Sequence, residues 1–284
     1  MRITHVDISP EGSSEIISLS LNSPSPYDPY LVKSITELDA NELSSLYYGK
    51  SSDSTKRFYE TSLSKREPVI TLSLNPSLTN QSLNTYSKLR DNLYRCVSSS
   101  RTGLVSLIFK NKEESVSMLS CRIGNIETDH FSPTQEVAIT FVTEKPYFRS
   151  LSRVEARPDL YKNLYSFSVT DNLSTSPHGV IFELELREAG KIFEISPPYT
   201  SIQPDWKFRL NRTNNFSVGT VFTISSETDN KKVVGQLGPN PVGMADLVAT
   251  NSVFPIIFPG ENQFKTNLKV HVKSARFYYT YWGI

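Results

Sequence analysis

The sequence is poor in the residues that build metal centres and disulfide frameworks. It holds 2 cysteines and 4 histidines in 284 residues. Cys96 and Cys121 are too far apart for a short metal-ligand spacing, and we interpret them as buried free thiols. The histidines occur singly, outside any His-Glu-x-x-His pattern, at His5, His130, His178 and His271. We therefore predict structural histidines, no metal site and no cofactor.

The sequence also lacks long apolar runs and an excess of one charge. No segment approaches the roughly 20 apolar residues that span a bilayer, and the start, Met1–Asp7, does not have the order of a signal peptide. The 30 basic and 29 acidic side chains leave a net charge of +1, so no strong field is present to attract a phosphate backbone. We expect a protein made and folded in a cytoplasm, with no membrane span and no sequence-specific nucleic-acid binding.

Motifs for nucleophilic catalysis and phosphate binding are missing as well. There is no Gly-x-Ser-x-Gly sequence, and no Ser-x-x-Lys sequence stands where a strand gives way to a helix. The glycine-rich segment Gly235–Gly243 lacks a Gly-Lys-Ser/Thr ending, and Pro239 and Pro241 predict a rigid turn instead. We predict no catalytic residues.

Some carboxylates could in principle pair for glycoside hydrolysis, namely Asp171, Glu183, Glu185 and Glu194. Alternating acidic residues usually mark the solvated face of a strand. We therefore expect a protein that is not an enzyme. A glycan-cleaving enzyme stays as an alternative, and loss of cleavage in Glu183→Gln would be its minimum support.

The first half of the chain is predicted to be β-rich with one helix. Apolar and polar residues alternate over 68–76 and predict a half-buried strand. Apolar residues at three- and four-residue spacing predict a helix over about 80–97, with an Asp91–Arg95 pair on its outer face. Further strands are predicted at 104–109, 116–123 and 135–142.

Two polar stretches and a lapse in periodicity organise the rest of this half. Three prolines predict an extended loop over residues 23–30. Residues 48–65 are polar and rich in serine, and we interpret them as an exposed excursion that is either a mobile loop or an oligomer contact. Periodicity lapses over about 149–162, as is typical of a connection between domains, so we place a domain boundary near residue 152.

The second half reads as a succession of short strands separated by turn-forming residues. The strands are predicted at 164–169, 180–186, 191–195, 206–210, 220–224, 232–235, 253–258 and 268–279. The predicted fold class is mainly β: a sandwich-like or barrel-like domain with one helix over residues 1–152, followed by an all-β sandwich over residues 153–284.

Aromatic residues crowd the closing segment, Ala275–Ile284, which holds one Phe, three Tyr and one Trp. A row of aromatic rings can stack on sugars or on an extended nucleic acid. The same rings can form one edge of a β core or a subunit interface. We favour a structural role and keep carbohydrate binding as an alternative.

Two segments resemble the distal tail protein family of long-tailed bacteriophages. The first runs from Arg66–Pro76 through the helix that contains Lys88–Tyr94 to Val137–Phe148, and is similar to the family's N-terminal strand-helix-strands unit with its Pro-Tyr-Phe exit. The second is Phe254–Phe264, similar to the Pro-Gly-x-Asn turn that precedes the last strand of the family's C-terminal, galectin-like domain. Together they cover most of the chain in order, whereas residues 23–30 and 48–65 depart from the family pattern.

The resemblance implies a structural protein of the virion tail tip. In the family, six N-terminal domains form a ring that joins the tail tube to the tail hub or baseplate, and C-terminal β domains project outward. It implies a homohexamer with the tail tube protein and the tail hub protein as partners, and with receptor-binding proteins or host glycans as further candidate partners. No catalytic residues carry over, because the family has none.

Overall fold

The computed structural model describes most of the chain and divides it into two compact units. The first unit comprises residues 1–151 together with 281–284, and the second comprises residues 152–280. The predicted boundary near residue 152 lies at this division, whereas the predicted second domain ran to residue 284 and the last four residues belong instead to the first unit. The described residues are 3–21, 25, 27–39, 43–48, 57–63, 65–76, 83–100, 102–111, 115–128, 135–143, 147–156, 159–160, 164–198, 206–228 and 230–284.

The first unit is built from antiparallel strands. Its strands are β1 (His5–Pro10), β2 (Ile17–Ser20), β3 (Tyr30–Ile35), β4 (Leu43–Tyr48), β5 (Arg57–Leu63), β6 (Val69–Leu74), β7 (Leu104–Lys110), β8 (Ser115–Thr128), β9 (Glu136–Thr143) and β10 (Phe148–Ser150). The main sheet runs in the order β2-β1-β7-β8-β9-β6-β3. The end strands β2 and β3 lie beside each other, so the sheet curls into a nearly closed shape.

Period-two alternation determines which face of the curled sheet is buried. Along β6 and β9 every second side chain is buried, which places Ile70, Leu72, Ile139 and Phe141 in the core. In register, Ile70 lies opposite Ile139. The alternation seen in the sequence therefore marks the inward face of the first unit.

One helix, α1 (Tyr86–Ser98), covers part of this core. The side chain of Thr85 accepts a hydrogen bond from the Lys88 amide and caps the helix, so the helix begins later than the predicted residue 80. Its buried residues are Leu89, Leu93, Cys96 and Val97. Arg95 pairs with Glu15 at 3.5 Å instead of with Asp91. No helix in the described part of the chain has the length and apolar content needed to cross a bilayer.

Tyr30 attaches the helix to the sheet. Its hydroxyl donates to the Leu89 carbonyl oxygen and accepts from the Asn92 side-chain amide, both at 2.9 Å. Burial raises the pKa of Tyr30. A buried hydroxyl with both a donor and an acceptor partner fixes the helix to the start of β3.

The second unit is a β-sandwich. Its strands are β11 (Val154–Ala156), β12 (Asp159–Leu160), β13 (Ser166–Asp171), β14 (His178–Gly179), β15 (Ile181–Leu186), β16 (Gly190–Ser196), β17 (Phe208–Phe216), β18 (Val221–Ser225), β19 (Lys232–Gln236), β20 (Pro241–Gly243), β21 (Ile256–Ile257), β22 (Gly260–Thr266) and β23 (Val270–Phe277); the chain re-enters the first unit through β24 (Thr280–Tyr281). One sheet has the order β11-β23-β15-β18-β19-β20 and the other β12-β13-β22-β16-β17.

Phenylalanine fills the space between the two sheets of the sandwich. Phe182 from one sheet meets Phe167 and Phe264 from the other edge-on, at ring-centroid distances of 5.4 and 5.1 Å. Phe222 meets Phe216 edge-on and Phe193 in a tilted arrangement across the core. Burying each such side chain contributes roughly 2–3 kcal/mol, so these rings dominate the core of the second unit.

The mainly β fold class with one helix is confirmed, and several element boundaries need correction. The Pro-Gly-x-Asn turn within Phe254–Phe264 was expected to lead into the last strand, but it leads into β22, an unpredicted strand in the middle of the five-stranded sheet. The strand predicted over 253–258 shrinks to β21, because Pro255 cannot donate to a ladder. The polar excursion predicted over 48–65 contains β5, which pairs with β4, the strand that ends where the excursion begins; its residues 49–56 and 64 lie outside the described residues.

Candidate functional site

Glu183 and Glu185 point to the same face of β15, where basic side chains meet them. Glu183 Oε2 lies 3.7 Å from Arg276 Nη2 and accepts from the Ser274 hydroxyl at 3.3 Å. Glu185 lies 3.6 Å from Lys273 Nζ and 3.4 Å from Arg187 Nη1. These cross-strand pairs are those of a solvated sheet face.

Glu194 lies on β16 in the other sheet and is held by two cations. Arg209 Nη2 donates to Glu194 Oε2 at 2.7 Å, and Lys207 Nζ lies 3.1 Å from Oε1. Burial alone would raise the pKa of Glu194, but the hydrogen bonds from Arg209 and Lys207 outweigh it and lower the pKa. A general acid in glycoside hydrolysis needs a raised pKa, so Glu194 is unsuited to that role.

Asp171 is buried at the end of β13 and pairs with His178. His178 Nε2 lies 2.7 Å from Asp171 Oδ2, and the amides of Leu173 and Ser174 donate to Oδ1 at 3.1 and 3.0 Å. Burial would raise the pKa of Asp171, but these hydrogen bonds, with that from His178 first, lower it. Asp171 is therefore a structural anion and not a proton donor at neutral pH.

Both nitrogens of the His178 ring have hydrogen-bond partners, Asp171 at Nε2 and the Gly179 backbone at Nδ1. Nδ1 lies 3.0 Å from the Gly179 carbonyl oxygen, and the ring stacks on Phe277 with centroids 4.9 Å apart. Neither nitrogen is directed at a serine hydroxyl, so the Asp–His pair does not extend into a nucleophilic triad. The next residue, Gly179, is required by packing, since a Cβ there would lie 2.6 Å from the Ser226 carbonyl oxygen.

The two thiols are free and buried. Cys121 is fully enclosed beneath the sheet, where burial raises its pKa to about 12. Burial also raises the pKa of Cys96 on the helix.

Among the described residues, no cluster of three or more His, Cys, Asp or Glu side chains could hold a metal ion. His130 lies outside them, while His5 is exposed and His271 is half-buried.

The aromatic closing segment is turned largely inward. Phe277 is fully buried between His178 and Tyr279, and Tyr278 faces the Arg153 guanidinium 4.9 Å from its ring centre. None of the aromatic side chains described for the second unit is among the exposed apolar residues. Of the five rings in this segment, Phe277 packs in the core, and the other four, Tyr278, Tyr279, Tyr281 and Trp282, are partly exposed.

The Pro-Gly-x-Asn turn has a structural explanation in Asn262. Asn262 Oδ1 accepts from the Phe258 backbone amide at 2.8 Å. Asn262 Nδ2 donates to the Phe258 and Gly260 carbonyl oxygens at 2.7 and 3.0 Å. Gly260 has φ 97°, a conformation that residues with a Cβ rarely adopt. The motif therefore closes the turn that starts β22. By contrast, the glycine-rich segment Gly235–Gly243 runs from the end of β19 through the exposed turn 237–240 into β20.

Arg66 is a buried charged residue that sequence reasoning did not single out. Its side chain is fully buried in the first unit, with the guanidinium carbon 4.8 Å from the centre of the Phe148 ring. Its nitrogens donate to three backbone carbonyl oxygens, those of Glu37, Asp39 and Trp282. Because all three acceptors are backbone atoms from distant segments, no residue-type pattern could have indicated them.

The fold and this geometry together define a class: a two-unit, mainly β protein in which Glu183, Glu185 and Glu194 pair with basic side chains and Asp171 is buried with a structural histidine. No family model matches the sequence, and no curated protein matches it.

Solved structures share this fold. The Dit (gp 19.1) protein of phage SPP1, described as a paradigm of the hub adsorption apparatus in phages that infect Gram-positive bacteria, is similar with a TM-score of 0.61 at 11% identity, over 97% of this chain and 98% of that chain. Chains from two structures of the activated phage p2 baseplate, with Sr and with Ca, give a TM-score of 0.46 at 9% and 10% identity, covering 97% and 98% of this chain and 97% of theirs. The resemblance predicted from the sequence is confirmed at the level of the fold.

Proposed function

We propose that this chain is a non-enzymatic structural subunit of a phage tail tip, in which six copies form a ring that joins the tail tube protein to the tail hub protein. The observation behind the proposal is the similarity to the SPP1 Dit fold over nearly the whole length of both chains. The motifs that suggested the family in the sequence lie in both units of that fold.

The absence of catalysis is part of the proposal, and the side-chain geometry supports it. Among the residues that the structure describes, the two carboxylates with shifted pKa values are Asp171 and Glu194, and in both the pKa is lowered. Retaining and inverting glycosidases need one carboxyl group that stays protonated near neutral pH. Glu183 and Glu185 lie beside bases on a sheet face.

The arm, defined as β4 and β5, is the element that we propose as a contact between copies. Its two strands form a sheet of their own and join no other sheet among the described strands. An isolated two-stranded hairpin is marginally stable in water, because its backbone groups and side chains have too few partners. A neighbouring copy in a ring would supply them.

Native mass spectrometry and negative-stain imaging of the purified chain test the ring. We expect a closed particle with the mass of six 32.1-kDa chains and six-fold averaged views. A chain that stays monomeric at all concentrations up to hundreds of micromolar would contradict the proposal.

An arm variant separates assembly from folding. In it, residues 43–63 are replaced by a short Gly-Ser linker, and we expect folded monomers in place of rings. As a matched control, the exposed turn Leu237–Asn240 of the second unit is replaced in the same way and should leave ring formation unchanged. Rings that persist without the arm would remove it from the interface.

A further inference from the structure

Residues 281–284, which we call the strap, return to the first unit after the whole second unit has been traversed. Tyr281 and Ile284 pack against the first-unit core. The Ile284 amide donates to the Leu38 carbonyl oxygen at 3.1 Å, and the Trp282 carbonyl oxygen accepts from Arg66 Nη2 at 2.6 Å. The strap is thus bound through its backbone at both ends.

The strap binds at the base of the arm, defined as residues 36–39 and 65–69, the segments that lead into β4 and out of β5. Arg66 Nη1 donates to the carbonyl oxygens of Glu37 and Asp39 at 2.5 and 2.7 Å, so one side chain joins both segments. The Thr36 amide donates to the Val69 carbonyl oxygen, and the Val69 amide donates to the Thr36 hydroxyl, each at 3.1 Å.

Glu37 has an unusual backbone that fits this arrangement. Its φ is 58°, and it is the non-glycine residue with positive φ in the described part of the chain. Residues with a Cβ occupy this region only when the surroundings hold them there. Here Arg66 binds the Glu37 carbonyl oxygen, while the Glu37 carboxylate accepts from the Glu67 amide.

The acceptors around Arg66 are interdependent. A buried guanidinium must have its N–H groups satisfied, because burial makes an unsatisfied charged donor costly. The strap supplies the Trp282 carbonyl oxygen to Arg66, and the base supplies those of Glu37 and Asp39. Removal of the strap takes away the Trp282 acceptor of Arg66. Opening of the base lets water bind the exposed guanidinium, which costs less free energy than leaving that donor buried without an acceptor.

We infer that the strap is a conformational lock for the arm: Arg66 fastens residues 281–284 to the base, and this fastening holds the two ends of the arm together. The lock acts within one chain, so it stands whether or not the chain forms a ring. Residues 281–284 follow the second unit in sequence, but in this proposal they stabilise the base of the arm in the first unit.

Hydrogen-exchange mass spectrometry on the full chain tests the lock with two variants, deletion of residues 281–284 and Arg66→Met. Each should speed exchange of the Thr36, Glu67 and Val69 amides by about tenfold or more, while amides of β15 in the second unit keep their rates. Because both variants break the same fastening, combining them should add less than about twofold. Arg122→Met, which removes an exposed first-unit arginine, is the matched control and should change none of these rates.

If Arg66→Met does not fold, the deletion decides alone, since it leaves the buried side chain in place. Exchange at Thr36 and Val69 that stays within twofold of wild type after deletion would overturn the lock. Loss of protection throughout the first unit, with no excess at the base, would overturn it too, because the strap would then be a general part of the core. Oligomeric state, measured on the same samples, separates failure of the lock from failure of the ring.

Discussion

At the scale of single residues, Asp171 shows how burial and hydrogen bonding compete for one charge. The carboxylate is fully buried, yet His178 and two backbone amides bind it and its pKa is lowered from 3.8. A carboxyl group whose folded pKa is depressed stabilises the fold above its unfolded pKa, and this stabilisation is lost as pH falls through the folded pKa. The contribution of Asp171 is therefore complete near neutral pH, begins to fall near the unfolded pKa of about 4, and is lost as pH falls through the lower folded pKa.

Asp171→Asn is expected to destabilise the second unit by about 2–4 kcal/mol at pH 7, because His178 and two amides lose an ionised acceptor inside the protein. The loss should shrink below about pH 4, where the wild-type carboxyl group also becomes neutral. Urea unfolding followed by Trp206 fluorescence in a Trp282→Phe background reports on this unit, since those are the 2 tryptophans in the chain. Equal losses at pH 7 and pH 3 would contradict the ionic role.

Cys121 provides a second residue-scale prediction. With its pKa raised to about 12 and its side chain fully buried, the thiol stays protonated and enclosed at pH 8. A thiol reagent such as DTNB should label it only as fast as the first unit opens, whereas the chain in urea should label fully within minutes. Rapid labelling of Cys121 in the native chain would show that β8 opens locally.

At the scale of elements, α1 is held by side chains on one stripe and by Tyr30. Leu93 is fully buried, while Tyr86 on the outer face is 38% exposed. The stability of such a helix comes mainly from packing of its apolar face, because 13 residues of ordinary propensity are marginal as an isolated helix.

Leu93→Ala should destabilise the first unit by about 2–5 kcal/mol through lost burial and a residual cavity. Tyr86→Ala, its control on the outer face, should change the free energy of unfolding by less than about 1 kcal/mol. Trp282 fluorescence in a Trp206→Phe background follows the first unit. A cost for Leu93→Ala as small as that for Tyr86→Ala would mean that the helix is not docked on the sheet.

Alternation and helical spacing were sufficient to predict the elements with one buried face, such as β6, β9 and α1. No strand was predicted within residues 5–20, although Val6 and Ile8 in β1 are two residues apart and both buried. β22 was hidden because Asn262, a buried position in it, is polar and satisfied by backbone groups that only the fold brings near. The arm was hidden because the apolar residues of β4 and β5 stand side by side, as in Tyr47-Tyr48 and Phe58-Tyr59, and do not alternate strictly with polar ones.

For the candidate site, missing motifs led us to expect no metal centre and no nucleophile, because such sites depend on residue types that a sequence displays. The buried Arg66 cluster could not be predicted in that way. Arg66 binds backbone carbonyl oxygens from segments 27 to 216 residues away in the chain. Backbone acceptors are identical in every residue, so the partners of Arg66 depend on tertiary structure alone.

At the scale of the whole molecule, the second unit is an insertion with its own core. Its core cluster is made of residues from within 152–280. Its sheet edges are short, as in the three-residue strands β11 and β20, or covered, as where residues 248–253 bond to β17. Such edges discourage strand pairing with other chains, in contrast to the arm.

The isolated second unit, residues 152–280, should therefore fold alone into a monomer. Proton–nitrogen NMR spectra should show dispersed amide signals, and sedimentation should give a single monomeric species. A spectrum with collapsed dispersion would mean that the sandwich depends on the first unit.

The strap also has a consequence for the order in which the protein is made. Arg66 leaves the ribosome early, but its partner Trp282 follows only after residues 152–280 have been translated. At about 5–20 residues per second, the interval is on the order of ten seconds. Throughout that interval the nascent first unit lacks the Trp282 carbonyl oxygen that Arg66 binds in the folded chain, so the fastening of residues 281–284 forms only after the second unit has been translated.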